Sequence, residues 1–330
     1  MQAKGTLLLR RSDVQELLGL TDCLDAVEEI FRLQGEGKVP APKILGVHAQ
    51  NGGLHVKAGL LPCDRNYLVA KLNANFPGNN ARFNLPTIQG VIVMFDAENG
   101  LPLAILDSID VTIKRTAAAS AVGAKYLART DSSVATICGC GQQGRANLRA
   151  IHLVLPLTKV YAFDVDERAA INLRNELSCE LKIDIEPVRS LPSAIRTSDV
   201  VLTCTPATEF FVQKEDIAPG TFIAAVGADD LQKQELDPAL IASAKVVADN
   251  LEQICSIGDT HHAIARGLMQ KEDVYAELCE VVAGKAGRTS KAEIIIFDST
   301  GVAIEDAAAA AIVYEKALAG RIGNYFEFAA

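Results

Sequence analysis

The chain has 330 residues, 49% of them apolar and 22% charged, with a formal net charge of -9. That length sets an expectation of about two domains with well-buried cores, and an acidic chain without a basic run excludes nucleic acid and anionic membrane as partners. The longest uninterrupted apolar stretch, Ala307 to Tyr314, is eight residues flanked by charges; against the ~20 needed to cross a bilayer it reads as a buried helix.

The N-terminal apolar core is too short, and lacks a small-residue cleavage pattern, for a signal peptide. Ser12 to Gln15 carries a capping-box signature that predicts a short helix, and Thr21 is read as the cap of a second, with Leu24, Val27, Ile30 and Phe31 on one face. From Lys43 the apolar period becomes two. Lys43 to Ala49, a turn at Asn51-Gly52-Gly53 and Leu54 to Leu61 form a hairpin; Tyr67 to Phe76 is a third strand; Thr87 to Phe95 and Leu101 to Leu106 form a second hairpin. These elements make an α+β domain with a mainly antiparallel sheet. Lys57 and Lys71 interrupt otherwise apolar strand sequence, where an ammonium needs either a function or an edge position that deters aggregation. Asp107 to Arg129 is helical in pattern. It carries Arg115, able to grip a carboxylate bidentately, and then the small residues Ala117 to Ala124, which suit close packing between two domains.

The stretch from Val134 to Asp164 is a βαβ unit written out in order: a β-branched run, the loop Gly139-Cys140-Gly141-Gln142-Gln143-Gly144, an amphipathic helical run and a second short strand ending in a carboxylate. Gly139 permits the tight turn, Gly141 lets backbone approach a pyrophosphate, and Gly144 lets helix and strand pack closely, so the helix N-terminus faces an anion. Asp164 lies 20 residues beyond Gly144, where an acid accepts hydrogen bonds from the adenosine ribose and repels a 2′-phosphate. NAD(H) is therefore expected over NADP(H). Further strands are predicted at Lys159 to Phe163, Ile183 to Val188, Val200 to Thr205, Phe222 to Val226, Lys245 to Ala248 and Glu293 to Phe297, mostly alternating with helices. Such alternation means a doubly wound parallel sheet. An Ala-rich helix after Gly301, running to about Gly320, would return to the first domain and make the nucleotide domain an insertion.

Ligands of open α/β sheets bind beyond the carboxyl ends of the strands. Beyond the glycine loop and Asp164, this selects Thr203 and Thr205, then Val226 and Gly227 with Asp229, and Ser299 with Thr300. The hydroxyls suit ribose and amide contacts, or hydrogen bonding to strand-end backbone. Asp229 reads either as an acid/base beside the nicotinamide or as the cap of a helix over Leu231 to Leu236. Eight cysteines, at 23, 63, 138, 140, 179, 204, 255 and 279, show no C-x-x-C pair, and five histidines form no ligand array. Buried thiols in a reducing cytoplasm are expected, with no metal.

Taken together, these phrases resemble the ornithine cyclodeaminase and mu-crystallin family. The matching segments are Lys71 to Asn79, Leu85 to Gly90, Asn99 to Ala104, Arg115 to Ser120, the glycine loop, Val226 to Asp229 with Lys233 to Leu236, and Ser299 to Asp306. The resemblance implies a homodimer: a substrate-binding and dimerisation domain over 1–115 and 305–330, and an NAD-binding Rossmann domain over 116–304. It implies that Lys71 and Arg115 hold the substrate carboxylate, that Thr87, Arg115, Lys233 and Ser299 touch cofactor, and that Asp229 is the acid/base. Thr300 is placed with the substrate. The chain departs from the family where many members set an arginine ahead of the first hairpin. Here the nearest candidate is Lys43, and the usual Met-Pro of the next strand is Lys57-Ala58.

The leading expectation is an NAD(H)-dependent oxidoreductase acting on the carbon–nitrogen bond of a small L-amino acid or its imine, as a dehydrogenase or an imine reductase. An ornithine cyclodeaminase-type lyase shares the first half of that chemistry, then releases ammonia and returns the hydride. A mu-crystallin-like binding protein with little turnover is the third reading.

Overall fold

The structure, a computed structural model, describes residues 5–63 and 65–328; the first four residues of the stretch read for a signal peptide lie outside the described residues. Its strands are β1 (Thr6–Leu9), β2 (Lys43–Ala49), β3 (Gly52–Leu61), β4 (Tyr67–Asn75), β5 (Ile88–Asp96), β6 (Pro102–Asp107), β7 (Val134–Cys138), β8 (Lys159–Phe163), β9 (Asp184–Pro187), β10 (Val200–Thr203), β11 (Phe222–Ala225), β12 (Lys245–Ala248), β13 (Ala276–Glu277), β14 (Ile295–Asp298) and β15 (Asn324–Phe326). Met1–Arg115 with Val302–Ala330 form one compact unit, and Thr116–Gly301 forms another that interrupts it in sequence.

The interrupted unit is α+β, built on a seven-stranded sheet ordered β15-β1-β6-β5-β4-β3-β2. Every pairing is antiparallel except β1 with β6. Register then decides which residues can meet. Lys57 pairs with Lys71, Lys71 with Ile92, and Ile92 with Leu106; directly opposed side chains share a face, so both lysines stand beside the fully buried Ile92 and Leu106. That face is covered by the helix Ala303–Gly320, whose Ile304 and Ala303 come so near Gly59 that a Cβ there would meet them at 3.6 and 3.7 Å. One register step away the side chains point to the opposite face. There Leu45, Val47, Leu68 and Val91 stand 59, 52, 45 and 40% exposed, an uncovered apolar surface.

Several local expectations shift. Neither Ser12 nor Thr21 caps a helix: the first helix, Arg11–Leu17, opens at Arg10, whose N–H donates to Asp13 at 3.0 Å, and the second, Leu20–Gly35, opens at Gly19. In both, an acid three positions on lies in the first turn, where unpaired backbone amides favour negative charge. The strands β1, β13 and β15 and the short helix Asn79–Phe83 were not expected. They run two to five residues, too short to display a period.

The interrupting unit is an eight-stranded parallel sheet ordered β13-β12-β14-β11-β10-β7-β8-β9. The chain winds outward from β7 through β8 to β9, then restarts at β10 and winds the other way, the strand order of a Rossmann fold. Strand ends differ from the sequence reading by one or two residues. The helix Ile109–Leu127 contributes its later turns here, where a Cβ on Gly123 would lie 2.9 Å from the Phe297 ring. No helix among the described residues is long and apolar enough to cross a membrane, and the eight cysteines are all free.

Candidate active site

In the interrupted unit the inner sheet face holds a cluster of four buried ionic side chains. Lys71 is 4% exposed, and its ammonium lies 2.8 and 2.7 Å from the two carboxylate oxygens of Asp306. Arg115 donates from Nε to Asp306 Oδ1 at 2.9 Å and from Nη1 to Glu305 Oε2 at 2.7 Å. Glu305 and Asp306 occupy the first turn of the helix Ala303–Gly320, where unpaired backbone amides favour negative charge. Burial pushes the Lys71 ammonium down to about 7, against the opposing pull of Asp306. Burial disfavours the Asp306 anion too, yet Lys71 and Arg115 hold its carboxyl below the usual range.

The structure brings Lys57, Lys71 and Arg115 together electrostatically: Lys57 and Arg115 both act as like charges on Lys71. It does not bring Lys43 to them. Lys43 is exposed and pairs with Ala58, which sets it on the other face of the sheet. Thr87 is exposed ahead of β5, with its carbonyl accepting the Phe76 N–H at 2.8 Å. A cleft of about 900 Å³ in the same unit, lined among others by Asp22, Ile30, Arg65, Ala311 and Glu315, includes none of the predicted site residues.

In the Rossmann unit the switch point falls between β7 and β10, and the glycine loop occupies it. Gly139 has φ +96°, and a Cβ there would sit 2.8 Å from the Cys204 carbonyl oxygen. A Cβ on Gly144 would lie 2.0 Å from the Gly139 carbonyl oxygen, whereas one on Gly141 would meet nothing within 4 Å. The loop is thus closed behind and open in front. Gly141 opens the helix Gln142–Val154 without a side-chain cap, leaving the first-turn amides to an anion from outside. Asp164 is locked beside the loop, accepting from the Cys140 N–H at 2.7 Å and the Asp166 N–H at 2.9 Å. Each oxygen keeps acceptor capacity for a hydroxyl. These features fit a dinucleotide.

The other strand-end residues answer to buried carboxylates that sequence reasoning missed. Glu235, fully buried, accepts from the Thr205 N–H and hydroxyl at 2.7 Å each and from the Gly227 N–H at 2.9 Å. The Thr205 hydroxyl also accepts from the Ala207 N–H at 3.2 Å, so its proton and one of its two lone pairs are engaged within its own loop. Thr203 is fully buried. Asp259 accepts from the Glu235 and Leu236 N–H groups at 2.8 and 3.0 Å, and Asp298 from the Thr260 N–H and hydroxyl at 2.8 and 2.6 Å. Asp249 accepts from the Ser299 hydroxyl at 3.1 Å and from the Gly301 N–H, while the Thr300 hydroxyl donates to Gln253 at 3.1 Å. Burial raises the carboxyls of Glu235, Asp259 and Asp298, the last to about 6. Among the described residues no group is arranged to hold a metal ion.

Asp229 is not a helix cap. No helix forms over Leu231 to Leu236; the turn there is made by Asp230, which accepts from the Gln232 and Lys233 N–H groups at 2.8 and 3.1 Å. The Asp229 carboxylate, half exposed, is paired with the Lys233 ammonium. His262 donates from Nε2 to the Lys233 carbonyl at 2.9 Å, so the loop is pinned while the acid itself remains accessible.

A protein-family profile described as ornithine cyclodeaminase/mu-crystallin matches residues 4–321. The alanine dehydrogenase of Archaeoglobus fulgidus is 39% identical over 324 residues, 98% of either chain. A solved archaeal alanine dehydrogenase dimer with bound NAD superposes with a TM-score of 0.94 at 38% identity, covering 98% of this chain and 99% of that one. The Thermococcus litoralis Delta(1)-pyrroline-2-carboxylate reductase, solved with NADH and L-proline, gives 0.92 at 35% identity, covering 97% and 100%. The profile match over almost the whole length, with relatives above 30% identity across the same span, means that the chain belongs to the ornithine cyclodeaminase/mu-crystallin family.

Proposed function

We propose that this protein is an NAD(H)-dependent oxidoreductase of the carbon–nitrogen bond, acting on a small L-amino acid or its imine as a dehydrogenase or imine reductase. The observation that carries the substrate class is the buried Lys71 and Arg115 pair, fixed on one carboxylate on the inner sheet face. Two desolvated cations at a fixed spacing are what recognition of a carboxylate requires. The open front of the glycine loop and the locked Asp164 support NAD(H) on the Rossmann unit, with the first-turn amides of Gln142–Val154 taking the pyrophosphate.

Bound NAD(H) supplies the two-electron step, taking or giving a hydride at the carbon that bears nitrogen. The protein's residues do the rest. Lys71 and Arg115 hold the carboxylate and orient that carbon; Asp229, the accessible acid at the end of β11, takes a proton from the substrate nitrogen in oxidation and returns it in reduction. Lys233 pairs with Asp229 between turnovers. In this reading Lys57 is a third substrate-side cation, and Lys43 belongs to the other face.

The interrupted unit is proposed as the dimer-forming part as well. Leu45, Val47, Leu68 and Val91 leave a sheet face apolar and uncovered, which a second copy of the chain would bury. The free thiols suit a cytoplasmic setting.

The test is a substrate panel: L-amino acids with NAD, and cyclic imines or 2-oxo acids with ammonia and NADH, followed at 340 nm. Net change in NADH is expected with at least one small substrate. Ammonia release without net NADH change would make the protein a cyclodeaminase instead, and silence across the panel with NADH still bound would make it a binding protein.

A further inference from the structure

Asp306 holds an unusual position for a carboxylate: it is 1% exposed and touches both cations assigned to the substrate. We propose that Asp306 is a positioning residue for the reaction, one that keeps Lys71 in its ammonium form and sets its spacing from Arg115, so that the pair presents two charges to a substrate carboxylate. The inference rests on the reading above, in which Lys71 holds that carboxylate.

The argument begins with what surrounds Lys71. Lys57 lies directly across from it on β3, and Arg115 meets it at the same carboxylate. Thr112 offers a hydroxyl at 3.5 Å. Two of the three charged neighbours repel an ammonium, and burial removes the water that would screen them. Asp306 is the counter-charge in direct contact. Its two oxygens lie 2.8 and 2.7 Å from Nζ, while Oδ1 also accepts from Arg115 Nε at 2.9 Å. Glu305, one residue earlier, faces the other end of the guanidinium and so neutralises Arg115 separately. Cys23, which borders the same acids, has its thiol pushed up to about 12 by burial and does not titrate near neutrality. Lys71 already sits at about 7 with Asp306 in place. Without that acid the ammonium would have two cations beside it and no anion touching it, and it would lose its proton at neutral pH.

Two assays of the full-length protein test this. In the first, KM for the amino acid or imine is followed from pH 5.5 to 9 in wild type, Asp306→Asn, Lys71→Ala and Asp306→Asn/Lys71→Arg. Deprotonation of Lys71 should raise KM with pH, and Asp306→Asn should move that limb to lower pH. A move of one unit reads as a roughly tenfold larger KM at pH 8, shrinking as the pH falls. Arginine does not deprotonate, so the double variant should lose the limb. The second assay needs no substrate: ¹³C-methylated lysines are titrated by NMR, with Lys71 assigned by its absence in Lys71→Ala, and the Lys71 resonance should titrate lower in Asp306→Asn. If Asp306→Asn does not fold, Asp306→Glu serves, with the limb retained and KM raised by displacement alone. A limb and a Lys71 resonance unmoved in Asp306→Asn overturn the inference and leave the function standing. A KM unaffected by Lys71→Ala overturns the reading on which it rests.

Discussion

Replacing Asp298 with asparagine isolates the energetic consequence of carboxyls buried at the strand ends. Asp298 is 1% exposed, and its Oδ2 takes both donors of Thr260, an arrangement an amide oxygen can reproduce. Burial, with the Glu235 charge adding to it, raises the carboxyl from an ordinary 3.8 to about 6. The folded state therefore binds this proton more tightly than the unfolded chain does. Its contribution to stability is fully present below the unfolded value and is lost as pH rises through the folded one. At about 1.4 kcal/mol per unit, the shift corresponds to about 3 kcal/mol. Asparagine does not titrate. The unfolded carboxyl is itself partly protonated at pH 4, so the difference in unfolding free energy, wild type minus Asp298→Asn, should fall by about 2 kcal/mol between pH 4 and pH 7. Urea unfolding followed by far-UV circular dichroism, without cofactor and at one protein concentration, measures it. A difference that stays flat over that range, or rises with pH, would refute the assignment of a protonated acid to this cluster.

Asp164→Ser should lose about 1 to 3 kcal/mol of discrimination between NAD(H) and NADP(H), since the carboxylate that faces the ribose is gone; equal use of both cofactors by the wild type would contradict the role given to Asp164. Gly144→Ala places a Cβ 2.0 Å from the Gly139 carbonyl oxygen, so the helix must move off the loop, and titration by NADH fluorescence should show affinity reduced at least tenfold. Asp229→Asn keeps the shape but cannot accept a proton, and turnover should drop roughly 10²- to 10⁴-fold with NADH affinity retained; full activity in that variant would remove Asp229 from the mechanism. Light scattering at micromolar concentration should return the mass of two chains, and Leu45→Glu with Val47→Glu should shift it toward one.

What could be read in the sequence was what a short segment decides for itself. The glycine loop, the helix after it and Asp164 lie within a single stretch of chain; the structure gives Gly139 a positive φ and leaves no room for a Cβ on Gly144, while the space in front of Gly141 is open. Lys71 was visible because charge in an apolar strand is locally anomalous, and Arg115 because a guanidinium can grip a carboxylate bidentately. What they are bound to was not. Asp306 comes 191 residues after Arg115, and in the sequence it is one more acid at the start of a helix, where acids are ordinary.

The same reasoning applies to the strand-end hydroxyls. Thr205 at a strand end looked available to a ribose because hydroxyls at that place so often are. A threonine gives no sign of what it is bonded to, and the partner, Glu235, lies 30 residues further on, in the stretch Leu231 to Leu236 that the sequence offered as a helix. Burial of Glu235, Asp259 and Asp298 is decided by which strand ends the winding order makes neighbours: β11 pairs with both β10 and β14. Their carboxylates tie the strand-end loops to one another through backbone N–H groups, and any residue but proline has such a group to offer. A motif can record the residues that meet a ligand; it cannot record donors that nearly every residue possesses. Acids of this kind therefore become legible only once the sheet order is known, and the place to look for them is beside the switch point, where loops from neighbouring strands must be held open without side chains filling the crevice.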